Sequence, residues 1–293
     1  MISVILPTYN RADWLPQSIR SIMEQDYRNW ELIIVDDCSS DNTGDVVREF
    51  MEQDGRIKYI RNEVNKKLPA SLNEGMKYAS GEYITWTSDD NLYKSNAFSV
   101  MLSNIEKSST NTGLVFAEFD KIDRDGKKIG CYKIPDDIRQ LYWENIIGCA
   151  FLYKKKVVNQ IGWYDEEKFL IEDYDYWLRI ADCFDVVPIR KSIYETRVHE
   201  RSLSTTRAKE VLRLKRDILN ENLNRNIDDY IKQKIYAEIA LISYSLDDYS
   251  TMNSCVQEAR VIFPNIKFHK RVNRAMFLGE KLTKIYKKIR VNF

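Results

Sequence analysis

The chain has 293 residues, 44% of them hydrophobic and 30% charged, with a formal net charge of +1, enough for one large soluble domain or two smaller ones. No run approaches the roughly 18 apolar residues of a membrane span. The five cysteines, Cys38, Cys131, Cys149, Cys183 and Cys255, are scattered and contain no Cys-x-x-Cys pair, so neither a structural zinc nor a disulfide framework is indicated, and a reducing, cytoplasmic compartment is expected. The near-neutral charge hides an asymmetry. From Lys267 to Phe293 there are nine basic residues and a single acid, Glu280, so the rest of the chain is mildly acidic and the tail suits a negatively charged partner surface.

The chain enters a strand pattern at Ile2 with no charged leader and long apolar segment, so no signal peptide is expected. Residues 2–6 read as a buried strand stopped by Pro7. Asp13 is placed to cap a helix over 14–25, with Leu15, Ile19, Ile22 and Met23 on one face. Residues 31–35 form a nearly all-apolar strand, as parallel sheets require, and it ends in Asp36-Asp37. A helix to about 53, a short strand over 57–60 and a helix over 69–79 follow. Then Gly81 leads into the β-branched and aromatic run Tyr83-Ile84-Thr85-Trp86-Thr87, which stops at Asp89-Asp90-Asn91. This alternation predicts a mostly parallel sheet with right-handed crossovers.

Two strands therefore end in adjacent carboxylates, and open α/β sheets bind ligands at that edge. Paired carboxylates repel unless a cation or donor lies between them, and oxygen ligands suit Mg²⁺ or Mn²⁺ shared with a phosphate. A solvated Asp-Asp-Asn turn reads equally well from one strand alone. Two such strands in one half favour a common polyanionic ligand, for which a nucleoside diphosphate with its metal fits. Neither Gly-x-Gly-x-x-Gly nor Gly-x-x-x-x-Gly-Lys-Ser/Thr is present.

Beyond Ser95, the expected cap of a helix to about 107, the pattern turns antiparallel. A strand over 114–119 and one over 128–134 flank the hairpin turn Asp123-Arg124-Asp125-Gly126. Another buried strand is expected over 146–152, then a short helix over 154–161. Glu172 and Asp173 fall in the first turn of a helix whose apolar positions are Tyr174, Trp177 and Leu178, and the helix dipole alone suffices to account for them. Short strands over 185–189 and 192–198 lead to His199, in a polar Arg/Ser cluster. From Thr206 onward the chain reads as helices only, over 207–223, 227–246, 249–262 and 267–289. In the last, Val272, Met276, Phe277, Leu282, Ile285, Tyr286 and Ile289 interleave with the basic residues. Such a helix either lies on a membrane surface or packs its apolar stripe on its neighbours.

The segments Val4-Ile5-Leu6-Pro7-Thr8-Tyr9-Asn10-Arg11, Ile33-Ile34-Val35-Asp36-Asp37-Cys38-Ser39-Ser40-Asp41, Gly81 to Asn91 and Glu172-Asp173-Tyr174-Asp175-Tyr176-Trp177-Leu178-Arg179 resemble, in order, the motifs of the family 2 inverting glycosyltransferases of GT-A fold. The resemblance covers about 2–204. It implies a catalytic domain over 1–205 with a helical extension over 206–293. It implies that Pro7, Tyr9 and Asp37 hold the nucleobase while Asp36 shapes that loop. Lys67 falls near the nucleotide. Asp89 and Asp90 fill the metal motif, with Asp90 the principal ligand to Mn²⁺ or Mg²⁺ and Asp89 on the donor side. His199 reaches the metal or diphosphate, and Asp173 is the general base. Where the family motif usually reads Asp-x-Asp, Ser88 replaces the first acid here, which leaves the donor-sugar contacts less well defined. The implied reaction moves a sugar from a nucleoside diphosphate sugar, uridine first, to a glycan or lipid-linked glycan in cell-surface polysaccharide synthesis. No nucleic-acid partner is expected. A sugar-phosphate nucleotidyltransferase and a non-catalytic transferase-like scaffold are the alternative classes. The first expects a Gly-rich loop that residues 7–11 do not supply.

Overall fold

The computed structural model describes residues 1–291. The chain divides into two compact units, one of residues 1–138 with 146–202, the other of 139–145 with 203–293.

The first unit is built on a mixed sheet that contains, among the described residues, nine strands. Its parallel part consists of β1 (Ile2–Thr8), β2 (Trp30–Asp36), β3 (Ile57–Arg61) and β4 (Tyr83–Trp86), in the order β3-β2-β1-β4. The connecting helices are α1 (Leu15–Met23), α2 (Thr43–Gln53) and α3 (Leu68–Lys77). Every residue of β1 and β2 is buried, so both faces are covered, as their unbroken apolar runs require. β1 continues through Pro7 to Thr8. The missing amide costs nothing there, because pairing with β4 ends at Ile5↔Trp86 while pairing with β2 runs on to Thr8↔Asp36.

The rest of the sheet is assembled from β5 (Leu92–Tyr93), β6 (Thr112–Ile122), β7 (Lys128–Tyr132), β8 (Phe151–Lys154) and β9 (Asp185–Arg197). The order continues β4-β8-β6-β9-β5, with β7 hairpinned onto β6. Around it pack α4 (Ala97–Lys107), α5 (Lys155–Ile161) and α6 (Glu172–Cys183). The strand expected over 146–152 starts only at Phe151. Gly148 sits at φ +65°, and a Cβ there would meet the Phe119 ring at 2.7 Å, so the backbone turns instead of extending. The two strands expected over 185–198 are one, with register shifts against β6. Asp13 does not cap α1 and Ser95 does not cap α4. The cap positions are Trp14 and Asn96, neither with a side-chain bond, and Asp13 pairs with Arg201 at 2.6 Å.

The second unit contains α7 (Leu203–Thr206), α8 (Ala208–Asn222), α9 (Asp229–Ser245), α10 (Tyr249–Ile262) and α11 (Lys270–Val291). Asp228 and Asp248 cap α9 and α10, accepting from the amides of Ile231 and Thr251. Its core joins Leu219, Ile235, Ile239, Met252 and Val256 to Phe268, Val272 and Ala275. The apolar stripe of early α11 is thus spent inside the unit, with Met276 packed against the same cluster. Phe277 is the exception at 89% exposed. The helix breaks at Gly279, φ +71°. The side chains of Leu282, Ile285, Tyr286 and Ile289, which the sequence reading placed on that stripe, lie outside the described residues. Among the described residues no helix is long and apolar enough to cross a membrane.

Candidate active site

β1 lies between β2 and β4, so Asp36-Asp37 and Asp89-Asp90 leave the same sheet edge on either side of it. The two pairs are used differently. Asp36 is fully buried, accepting from the Ser39 amide, the Tyr59 hydroxyl and Arg61 Nη1 at 2.6–2.7 Å. It organises the loop. Asp37 accepts from Asn62 Nδ2 and the Lys66 amide on Oδ1, and from the Lys67 amide on Oδ2, all at 2.8 Å. A carboxylate has about four acceptor sites, so one remains on Oδ2. Pro7 is buried in β1, and Tyr9 beyond it is half exposed.

Lys67 sits at φ 71°, ψ 171°, a region that is essentially glycine's and costs a side chain about 1–3 kcal/mol. The Asp37 carboxylate holds it there. Its ammonium lies 5.2 Å from the centre of the Phe169 ring, so the loop beside Asp37 touches the segment entering α6. Lys67→Gly is expected to be more stable than Lys67→Ala by about 1–2 kcal/mol, since only alanine keeps the strain. Equal melting temperatures for the two would refute the strain reading.

Asp89 is buried, and its carboxyl is pushed up to about 7, first by burial and then by the charge of Asp90; the Thr8 hydroxyl, Arg11 and the Tyr9 amide offset part of this. Arg11 Nε lies 3.9 Å from Asp89 Oδ1. Asp90 turns the other way. Its Oδ2 lies 2.8 Å from His199 Nε2. Arg197, the last residue of β9, sets this contact: its Nε donates to the Asp90 carbonyl at 3.0 Å and its amide to Asn91 Oδ1 at 2.9 Å. The end of β9 thus leads into His199 and holds the Asp90 turn beside it.

Around Trp14, which is buried, four guanidinium groups gather: Arg201 at 4.7 Å, Arg197 at 5.6 Å, Arg11 at 5.8 Å and Arg124 at 6.0 Å from the ring centre. The His199 ring lies 4.4 Å away. An indole face moderates the mutual repulsion of such a cluster. Sequence reasoning missed these residues. Arg11 and Arg197 lie inside recognised motifs, and attention to their side chains was the available signal; Trp14 reads only as the start of a helix.

α6 carries Glu172 and Asp173 in its first turn. Trp177 packs on Phe151 at 4.5 Å and Tyr176 stacks on Tyr164 at 4.1 Å, fixing the helix to β8 and, through Trp86 Nε1 donating to the Tyr164 hydroxyl, to β4. Glu172 Oε2 accepts from the Leu170 amide at 2.7 Å, holding that residue at φ 80°. Asp173 is half-buried and accepts from the Tyr174 amide at 2.7 Å. The charges of Asp173 and Asp90 both act on the half-buried Cys149 thiol, which burial and these carboxylates push up to about 12. Asp90, Asp173 and Cys149 therefore share one region, and Cys149 remains a neutral thiol in it.

Burial, then the charge of Asp173, raises the Glu172 carboxyl to about 8. In the unfolded chain it ionises near 4.5. The folded state keeps a proton that the unfolded state has lost, so stability falls as pH rises from about 4.5 to about 8 and levels off above. Glu172→Gln should remove this contribution, so its melting temperature should gain on the parent protein between pH 5 and pH 8. Parallel pH profiles would contradict the assignment.

Among the described residues no group of three His, Cys, Asp or Glu side chains could hold a metal. Asp90 and His199 offer two donors. Hydrogen-bonded to each other at 2.8 Å, they are the side chains that would hold a divalent ion, and an oxygen–imidazole pair suits Mn²⁺ better than Mg²⁺. His199 Nδ1 accepts from the Arg201 amide at 3.1 Å, which places the hydrogen on Nε2, facing Asp90. A divalent ion held there would need the ring nitrogen facing it to be free of hydrogen.

The family model for glycosyl transferase family 2 matches residues 3–162. The chain is similar to the Escherichia coli protein UDP-Glc:alpha-D-GlcNAc-diphosphoundecaprenol beta-1,3-glucosyltransferase WfgD, at 30% identity over 73% of this chain and 83% of that one. It is also similar to the putative colanic acid biosynthesis glycosyl transferase WcaA of Escherichia coli, 32% over 62% and 66%. A Rickettsia conorii uncharacterized glycosyltransferase is 30% identical over 64% of this chain, which spans about a third, 32%, of that protein. Two solved structures share the fold at 19% identity and TM-score 0.64. They are S. aureus TarS 1–349 with UDP-GlcNAc, covering 88% of this chain and 80% of that one, and the Pyrobaculum calidifontis mannosyltransferase with GDP-Man and Mn²⁺, covering 99% and 82%. The motifs on the shared sheet edge, the GT-A type α/β fold and the family match together make this chain a member of glycosyl transferase family 2.

Proposed function

We propose that this chain transfers a sugar from a nucleoside diphosphate sugar to an acceptor hydroxyl with inversion at the anomeric carbon. The observation that carries the reading is the sheet edge on which Asp37 and Asp90 flank β1, with Asp90 paired to His199 at 2.8 Å. Asp37, with one acceptor site left and a wall of Pro7 and Tyr9, receives the base. Lys67 and Arg11 stand on the donor's anionic side. Asp173 takes the proton of the acceptor hydroxyl while that oxygen bonds the anomeric carbon and the bond to the diphosphate breaks. Glu172, keeping its own proton at neutral pH, removes one negative charge from beside Asp173. Asp90 and His199 are the residues that would hold a divalent ion, which when bound supplies Lewis-acid stabilisation of the departing diphosphate.

Uridine is the expected base: WfgD is named for UDP-Glc and TarS has been solved with UDP-GlcNAc, while the GDP-Man complex keeps guanosine in the trial. WfgD is named for a diphosphoundecaprenol-linked sugar, which supports a lipid-linked or glycan acceptor in polysaccharide synthesis, reached from the cytoplasmic side. The test is a panel of nucleoside diphosphate sugars with glycan acceptors, scored by nucleoside diphosphate release with Mn²⁺, with Mg²⁺ and with chelator. We expect one donor to dominate and chelator to suppress it. No release above the enzyme-free rate from any donor would overturn the reading.

A further inference from the structure

The helical unit buries one face of early α11 and leaves the other exposed to solvent. Val272 and Ala275 are buried and Met276 is packed against the core, whereas Lys270, Arg271, Asn273, Arg274 and Phe277 are exposed. On a helix, 270, 273, 274 and 277 are neighbours along one face, and about 10 Å separates its ends. Between Glu258 and Glu280 the chain has five Lys or Arg residues and no acid. Phe277, 89% exposed, follows Arg274 by three residues at the end of this basic stretch. At the other end of the loop that leads into α11, Val261 and Ile262 finish α10 at 83% and 52% exposure. An aromatic ring left in water among cations is unfavourable for a purely solvated face, and it has no role in the helical core.

We propose that this face of α11 docks on an anionic lipid bilayer, with Phe277 entering the interface and Lys267, Lys270, Arg271 and Arg274 facing the headgroups. Val272 and Met276 of the apolar stripe pack in the helical unit, and the charged face with Phe277 meets the membrane. Charge complementarity selects an anionic surface. The exposed ring selects a surface with an apolar interior over a nucleic acid or polyphosphate, which offers only charge and base stacking. The inference stands on this unit alone and does not depend on the donor or the reaction.

The test is co-sedimentation of the full chain with vesicles of phosphatidylcholine, alone or mixed with phosphatidylglycerol. Binding should require the anionic lipid and weaken with salt. Each cation near such a surface raises partitioning about five-fold, so Lys270→Glu with Arg274→Glu should abolish it. Phe277→Ser keeps every charge and should lower it by about ten-fold, the worth of half-burying one aromatic ring, with an unchanged melting temperature. Binding that ignores lipid charge, no binding at all, or binding that the charge variants lose and Phe277→Ser retains would each overturn the proposal. The last result, together with equal capture by a single-stranded oligonucleotide, would assign the face to a soluble polyanion.

Discussion

Asp173→Asn is expected to lower kcat by about 10²–10⁴-fold, the usual worth of a general base, while donor KM stays within a few-fold of its parent value. The substitution is nearly isosteric, and the amide oxygen can still accept from the Tyr174 amide, so the first turn of α6 should be preserved. What is lost is the capacity to take a proton. The helix-dipole explanation of Glu172-Asp173 predicts something different: a few tenths of a kcal/mol in stability and no selective loss of turnover. Measuring kcat and melting temperature together separates them. A variant that keeps most of its kcat and melts lower would return Asp173 to a structural role. The packing of Trp177 and Tyr176 under α6 makes a rigid platform for a base, so rescue by loop movement is not expected.

How much of this was legible in the sequence follows from which interactions are local. The β1–β4 half was readable, because runs such as Ile33-Ile34-Val35 carry their burial in their composition and the terminal acids mark one edge. The segment at Gly148 was not, because its turn is dictated by the Phe119 ring, some 30 residues away in sequence. Asp13 looked like a cap, yet Arg201 claims it from the far end of the unit. The residues of the candidate site were legible as types, while their division of labour was not. Nothing in Asp36-Asp37 says that the first is spent on Tyr59 and Arg61 and the second on three N–H groups. Trp14 as a hub for four arginines also depends on long-range contacts. In the tail, periodicity correctly marked Val272 and Met276 as one stripe, but periodicity cannot say whether a protein core or a bilayer receives it.

Asp90→Ala should abolish the metal-dependent part of both nucleotide binding and turnover. Of the two adjacent acids, Asp89 is buried and lies 3.9 Å from Arg11, so its side chain already has a cation beside it. Asp90 Oδ2 lies 2.8 Å from His199 Nε2, and these two side chains are the ones that would hold a divalent ion. Lewis-acid assistance is worth several kcal/mol, so the loss in kcat should be at least about 10²-fold, with Asp89→Asn costing less. Binding supplies the readout free of turnover. Calorimetric titration of UDP should show Mn²⁺-dependent affinity in the parent protein, and in Asp90→Ala the affinities with Mn²⁺ and with chelator should coincide. His199→Ala should leave a residual metal effect, because Asp90 still offers an oxygen. The fold should survive, since Arg197 holds this loop through the Asp90 carbonyl and Asn91, not through the Asp90 side chain. Unchanged Mn²⁺-dependent UDP affinity in Asp90→Ala would remove the metal from this site and leave the contact with His199 as a hydrogen bond that closes the strand end.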